Sequence, residues 1–228
     1  MGLHIWADRA LIALFAPACA ACHSPLDPRR TGPVCVSCWS SIRHAPETDD
    51  ARAAGIYEGS LRHIIHALKY RGQTSLARPL GALMRDAAGD WLDDAVVVPV
   101  PLHPWRSLRR GFNQADLLAC TLGRPVWRPL QRHRLGRPQA GLPADERRAN
   151  VADVYVMRRS WRHRIPATVV LVDDVLTTGA TAEACARVLK DAGVQRVLVL
   201  TAARALRVTP APSAFARAEL RRTSPTPP

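Results

Sequence analysis

Lysine is almost missing from this chain: of its 32 basic side chains only Lys69 and Lys190 are lysines, and the rest are arginines. Against 19 acidic residues they leave a formal net charge of +13, which suits phosphates and nucleic acids without choosing between them. In an alanine-rich chain such an arginine bias also reports base composition, so charge alone is no argument for nucleic-acid binding. Cysteine is scarce as well. Six in 228 residues are too few for a disulfide scaffold, and four of them form two C-x-x-C pairs, a metal spacing of reducing compartments that points to the cytoplasm. No apolar run reaches the roughly 20 residues that a membrane span needs. The apolar stretch at residues 11–21 is no secretory signal either, because His4, Asp8 and Arg9 stand where a basic segment belongs. Residues 3–15 read as an amphipathic helix docking on the protein, with a surface or membrane anchor as the lesser alternative.

The length allows one α/β core and a small accessory module. The division is residues 1–46 for an N-terminal helix and cysteine module, 47–207 for the main domain, and 208–228 for a disordered tail rich in Pro, Ser, Thr and Arg. Within the main domain a short strand falls near residues 54–57. Leu61, Ile64, Ile65 and Leu68 give a helix at 60–70, and a second helix covers 75–92. Residues 95–98 form a buried strand closed by Pro99 and Pro101. A helix at 111–122 and a weak strand at Val126 and Trp127 follow. Strands at 154–157, 168–172 and 196–202 and a helix at 181–192 complete the order. This alternation implies a parallel sheet covered on both faces. Residues 131–150, rich in arginine and broken by Gly136, Pro138, Gly141 and Pro143, are a lid or binding loop, or else a disordered basic linker.

The most informative string is 169–181: an apolar strand, Asp173 and Asp174, a short loop with Thr177, Thr178 and Gly179, then a helix start at Thr181. Ligands of open α/β sheets sit beyond the carboxyl ends of the strands. Backbone N–H groups and hydroxyls at a helix N-terminus can hold a phosphate there, and Gly179 lets the backbone approach it. Two carboxylates next to an anion make sense as acceptors for sugar hydroxyls or as outer ligands of Mg2+.

Cys19, Cys22, Cys35 and Cys38 match a structural four-thiolate zinc site, and a redox pair would not need the second C-x-x-C. His23 and His44 read as surface residues. Cys120 and Cys185, alone in helical patterns, read as buried structural thiols. Arg29, Arg30 and Arg43 flank the cysteines without a basic and aromatic stripe, so the ribbon is better read as structural than as a nucleic-acid contact.

The string 169–181 closely resembles the signature by which type I phosphoribosyltransferases bind 5-phosphoribosyl-1-pyrophosphate (PRPP). The chain as a whole resembles the ComF (ComFC/GntX-like) family, which is associated with DNA uptake in competent bacteria. Residues 66–72, 98–103, 110–114 and 139–150 resemble further ComF blocks in family order, so the likeness spans about residues 10–205. It implies a type I phosphoribosyltransferase core, PRPP with Mg2+ as ligand, Asp173 and Asp174 on the ribose hydroxyls, and Thr177, Thr178, Gly179, Ala180 and Thr181 around the 5′-phosphate. The loop after the first core strand would meet the pyrophosphate. Arg106, Arg109 and Arg110 suit that role, though each suits a solvated basic turn equally. Lys69 and Arg71 are second-rank candidates that could equally cap the C-terminus of their helix. Residues 131–150 resemble the loop that closes over PRPP, bringing Arg137 or Arg147 to the departing pyrophosphate. Thr177 departs from purine-specific relatives, which often carry Asp there to assist the base. Three functions follow from the likeness: phosphoribosyl transfer to an unidentified acceptor, a PRPP or nucleotide sensor, or an accessory that contacts single-stranded DNA or a DNA-translocating ATPase.

Overall fold

The computed structural model describes residues 17–27, 32–102, 110–132, 154–161 and 165–206. The helix expected at residues 3–15, the tail, Arg29, Arg30, Arg106, Arg109, Arg137, Arg147 and all but the first two residues of the 131–150 segment lie outside them.

A short helix, α1 (Val36–Ser40), follows the second pair of cysteines. The main domain then runs β1 (Ala51–Ala53), α2 (Gly59–Tyr70), α3 (Ala77–Ala88), β2 (Val96–Pro99), α4 (Gln114–Cys120), β3 (Leu130–Arg132), β4 (Tyr155–Met157), β5 (Thr168–Leu176), α5 (Ala180–Asp191) and β6 (Arg196–Arg204). Four strands form one sheet in the order β1-β6-β5-β2, every pairing parallel. A separate antiparallel pair, β3 with β4, sets Arg132 opposite Tyr155.

Period-two alternation along β5 sorts its side chains onto two faces. Val170 and Val172 join an apolar cluster built on Leu61, Ile64, Ile65 and Leu68 of α2, Leu80 and Met84 of α3 and Leu118 of α4. Val169 and Leu171 join a second one with Ala182, Cys185 and Leu189 of α5 and with Tyr155. The expected parallel sheet with helices on both faces is what forms. Helices α3 and α4 meet closely, since a Cβ on Gly81 would fall 1.9 Å from the hydroxyl of Thr121.

Several boundaries differ from the sequence reading. The first strand lies at Ala51–Ala53, before the expected 54–57, because the chain turns at Gly55, whose Cβ position is filled by Ile42 and Leu61. Gly89, at φ 54°, ends α3 and leaves only a 3-10 turn, Gly89–Leu92, of the helix expected to reach Leu92. Leu130–Arg132 is a strand paired with β4, so the irregular segment does not begin at Gln131. Val126 is a single parallel bridge to Val97. Strand β5 continues past Val172 to Leu176, since β6 supplies partners for Asp173, Val175 and Leu176. Cys185 is buried as expected, but Cys120 is exposed: Ala115, Leu118 and Ala119 form the inward face of α4 and Cys120 lies off it.

Candidate functional site

Strand β2 ends at Pro99, opposite Val172, and Val100 N–H donates to the Val172 carbonyl at 2.9 Å. Beyond that point, among the described residues, β5 pairs with β6 alone, and Asp173 and Asp174 project from this half-freed stretch. Adjacent in sequence, they point to opposite faces. Asp174 faces α2, where Lys69 Nζ of the last helical turn lies 2.7 Å from its Oδ1, both side chains mostly buried at 16% and 14% exposure. Asp173 faces α5 and accepts a hydrogen bond from the Asp174 N–H at 2.8 Å. Burial, and then the charge of Asp174, push the Asp173 carboxyl up to about 7, while that N–H and Lys69 oppose the rise. Its influence reaches α5: burial and then the charge of Asp173 push the Cys185 thiol up. Lys69, a pyrophosphate candidate from sequence, is thus engaged by a site carboxylate.

The turn after β5 presents Thr177 and Thr178 to solvent. Gly179 sits at φ 84° as N-cap of α5, a left-handed conformation that favours glycine. Ala180 N–H reaches Thr178 Oγ1 at 3.4 Å. Asp173, Asp174 and Thr177 through Thr181 therefore share one end of β5, at the start of a twelve-residue helix. Tyr155 is a buried phenol whose pKa is raised by that burial and then by Cys185, with Asp173 adding to it. Arg132 lies over the Tyr155 ring, 5.6 Å from its centroid. Sequence reasoning missed Tyr155 and Arg132. Only the pairing of β3 with β4 makes them neighbours.

On the other side of the site Arg110 stacks on Tyr70, its guanidinium 4.7 Å from the ring centroid, and donates to Gln114 Oε1 at 3.1 Å. Asn113 caps α4 through its side-chain oxygen and donates to the Val100 carbonyl at 3.0 Å, tying the exit of β2 to the start of α4.

The four N-terminal cysteines converge. Their sulfurs lie within 4.8 Å of one another, and Cys22 Sγ to Cys35 Sγ is 3.8 Å, the separation of about 3.8 Å expected for tetrahedral thiolates at roughly 2.3 Å from one ion. Cys35 N–H donates to Cys19 Sγ at 3.3 Å, a contact that suits a thiolate. A hydrogen bond from Ser37 leads the effects that lower the Cys35 pKa to about 6, whereas burial pushes Cys38 up to about 12. His23 and His44 are exposed, as expected. The ribbon's Cys19, Ala20, Leu26 and Cys38 belong to the same apolar cluster as α2 and α3.

Among known proteins, the chain is 34% identical to Competence protein F of Haemophilus influenzae over 180 residues, 74% of this chain and 78% of that protein. The chain belongs to the ComF family. The DNA utilization protein YhgH of Escherichia coli K12 is 31% identical over 181 residues with the same coverage. The Bacillus subtilis competence protein ComFC is 28% identical over 171 residues, 73% of this chain and 70% of its own length. No protein-family model matches the chain. Among solved structures, an orotate phosphoribosyltransferase from Aeropyrum pernix aligns with 73% of this chain and 85% of its own at 16% identity and a TM-score of 0.37. A glutamine PRPP amidotransferase from B. subtilis covers 55% of this chain and 26% of its own at 23% identity and a TM-score of 0.37. Both likenesses are loose.

In this ComF chain three of the four blocks singled out by sequence meet around β5. Lys69 comes from the first and Val98 to Val100 from the second. The third contributes Arg110 and Asn113. The fourth, 139–150, lies outside the described residues. No described helix is long and apolar enough to cross a membrane.

Proposed function

We propose that this ComF protein is a type I phosphoribosyltransferase that binds PRPP with Mg2+ at the carboxyl end of β5 and serves DNA uptake. The carrying observation is the Thr177–Thr181 turn, which opens α5 directly after the two site carboxylates. There the first N–H groups of α5 and the Thr177 and Thr178 hydroxyls suit the 5′-phosphate, and the helix dipole favours that anion. Asp173 and Asp174 accept from ribose hydroxyls. Their fit to Mg2+ is indirect, because Asp174 already holds Lys69 and Asp173 is desolvated, so these carboxylates would hold the ion only as outer partners. When bound, Mg2+ offsets the charge of the leaving pyrophosphate. Arg110, whose guanidinium is already held by Tyr70 and Gln114, pairs with it as a preorganised fork. In the transfer the bond from the anomeric carbon to the pyrophosphate oxygen breaks with its electron pair leaving on pyrophosphate, while the acceptor's lone pair forms the new bond. Arg137 and Arg147 would close over that departure.

The relatives' names, Competence protein F and DNA utilization protein, support the link to DNA handling. Four thiolates at tetrahedral spacing suit zinc, and reduced thiols suit the cytoplasm. The threonine at 177, where purine-specific enzymes often carry a base-assisting aspartate, favours a second reading in which PRPP is sensed and not consumed. A third reading places single-stranded DNA or a DNA-translocating ATPase as partner. Calorimetric titration of PRPP with Mg2+ into wild type and an Asp173→Asn, Asp174→Asn variant tests the proposal. Binding lost in the variant, with pyrophosphate released by the wild type, supports transfer. Binding without release supports the sensor, and a folded, zinc-loaded wild type that binds nothing overturns the PRPP reading.

A further inference from the structure

Three consecutive residues at the end of α2 reach three different parts of the molecule. Lys69 holds Asp174 of the acidic pair at 2.7 Å. Tyr70, 62% exposed, carries the Arg110 guanidinium on its ring, and His66 one turn earlier packs against the same ring at 4.6 Å. Arg71 points the other way, into the first cysteine knuckle: Nη2 lies 3.5 Å from the Ala20 carbonyl and Nη1 lies 3.5 Å from His23 Nε2. Ala20 stands between Cys19 and Cys22, and His23 follows Cys22 directly.

His23 supplies a second, independent observation. Among the described residues it is the one non-glycine residue with positive φ, at 63°. Glycine is the default for that conformation, and another residue there costs roughly 1 kcal/mol or more. Strain of that kind persists where surrounding contacts impose it, and the side chain that glycine would lack is the one facing Arg71. The knuckle also packs into the core beneath α2, where Cys19 and Ala20 share a cluster with Leu61, Ile64 and Leu68. The ribbon is thus joined to the last turn of α2 from below through apolar contact and from the side through Arg71.

We infer that the four-cysteine ribbon and the nucleotide site are coupled through the turn Lys69-Tyr70-Arg71, so that metal loading of the ribbon sets the position of Asp174 and Arg110. The nucleotide half of this inference rests on the PRPP reading above; the mechanical half does not. Coupling between sites is reciprocal for binding free energies, so each end must report on the other. A ribbon that loses its metal loosens the turn. A turn that loses its hold on Asp174 loosens the ribbon.

The test uses the full chain loaded with zinc and follows transfer of the metal to a chromogenic chelator. Arg71→Met should release zinc about five-fold faster, the low end of ordinary coupling. Lys69→Met, whose altered side chain faces Asp174 and not the ribbon, should speed release in the same direction, and the two together should give less than the product of the separate effects. Lys69→Arg, which keeps a cation at Asp174, should stay near the wild-type rate. If Lys69→Met does not fold, Asp174→Asn breaks the same pair with little change in shape. Calorimetry of PRPP with Mg2+ then asks the reciprocal question. Arg71→Met, whose guanidinium lies against Ala20 and His23 of the knuckle, should bind about five-fold more weakly than wild type. Release from Lys69→Met, or from its Asp174→Asn substitute, at the wild-type rate overturns the coupling. So does an Arg71→Met chain that binds PRPP as the wild type does. A wild type that binds no PRPP overturns the functional reading, and the release rates still decide the coupling.

Discussion

The two faces of β5 give neighbouring, chemically identical side chains different electrostatic lives. Asp174 leaves the strand on the α2 face and meets a lysine at 2.7 Å. Asp173 leaves on the α5 face, among Cys185, Tyr155 and Ala182, where Lys69 acts on it only from a distance. Desolvation there is opposed by one backbone N–H and by that remote cation, and the carboxyl is pushed up to about 7. A pair that reads as two acids in sequence therefore holds one carboxylate paired to a lysine and one group that exchanges its proton near neutral pH. A ligand presenting hydroxyls can use both states, since a carboxylate accepts and a carboxylic acid also donates.

Breaking the paired side has the largest expected effect. Lys69→Met leaves the mostly buried Asp174 carboxylate without its cation, and removing one partner of a buried pair costs about 3 kcal/mol. Urea denaturation at neutral pH should show that loss, with Lys69→Arg retaining most of the stability. A Lys69→Met chain as stable as wild type would mean that water already carries the Asp174 charge.

Asp173→Asn tests the other face and should act with the opposite sign. The folded pKa of Asp173 lies above its ordinary value of 3.8, so between about pH 4 and 7 the folded state binds more protons than the unfolded state. Stability contributed by this group is then full below pH 4 and is lost as pH rises through 7. The asparagine variant should flatten that fall and gain about 2 kcal/mol at pH 8 relative to its difference at pH 4, taking a pKa unit as about 1.4 kcal/mol and discounting for relaxation. Denaturation midpoints across that range measure it, and parallel wild-type and variant curves would place Asp173 in water.

Much of this comparison was already legible in the residues. The apolar run before Asp173, the glycine at 179 and the helical spacing of Leu61, Ile64, Ile65 and Leu68 are local signals, and each predicts an element that forms. The two C-x-x-C pairs predict convergence, and their sulfurs converge. Strand alternation even implies that Asp173 and Asp174 diverge, once β5 is known to run on to Leu176. That extension was not legible, because it depends on partners that β6 supplies from 28 positions or so downstream. Lys69 and Asp174, Tyr70 and Arg110, and Arg71 and Ala20 are likewise pairings across long sequence separations that no periodicity encodes. Sequence named Lys69 and Arg110 as binders of pyrophosphate; their contacts give each a partner within the protein as well.

The smallest expected effect probes how far the influence of the α5 face extends. Tyr155 shares that face with Cys185 and lies close enough to Asp173 to feel its charge. Tyr155→Phe keeps the ring under Arg132 and removes one polar hydroxyl from a buried place, which costs about 1 kcal/mol. Because the phenol is one of the polar groups around Asp173, its loss should also leave that carboxyl in a more apolar setting, and the stability fall between about pH 4 and 7 should steepen slightly. Lys69 and Asp174, on the opposite face, should be unaffected, so a double variant with Lys69→Met should be additive within about 0.5 kcal/mol. Non-additivity would show that the sheet passes the effect from one face to the other, and the two carboxylates would then have to be treated as a single titrating unit.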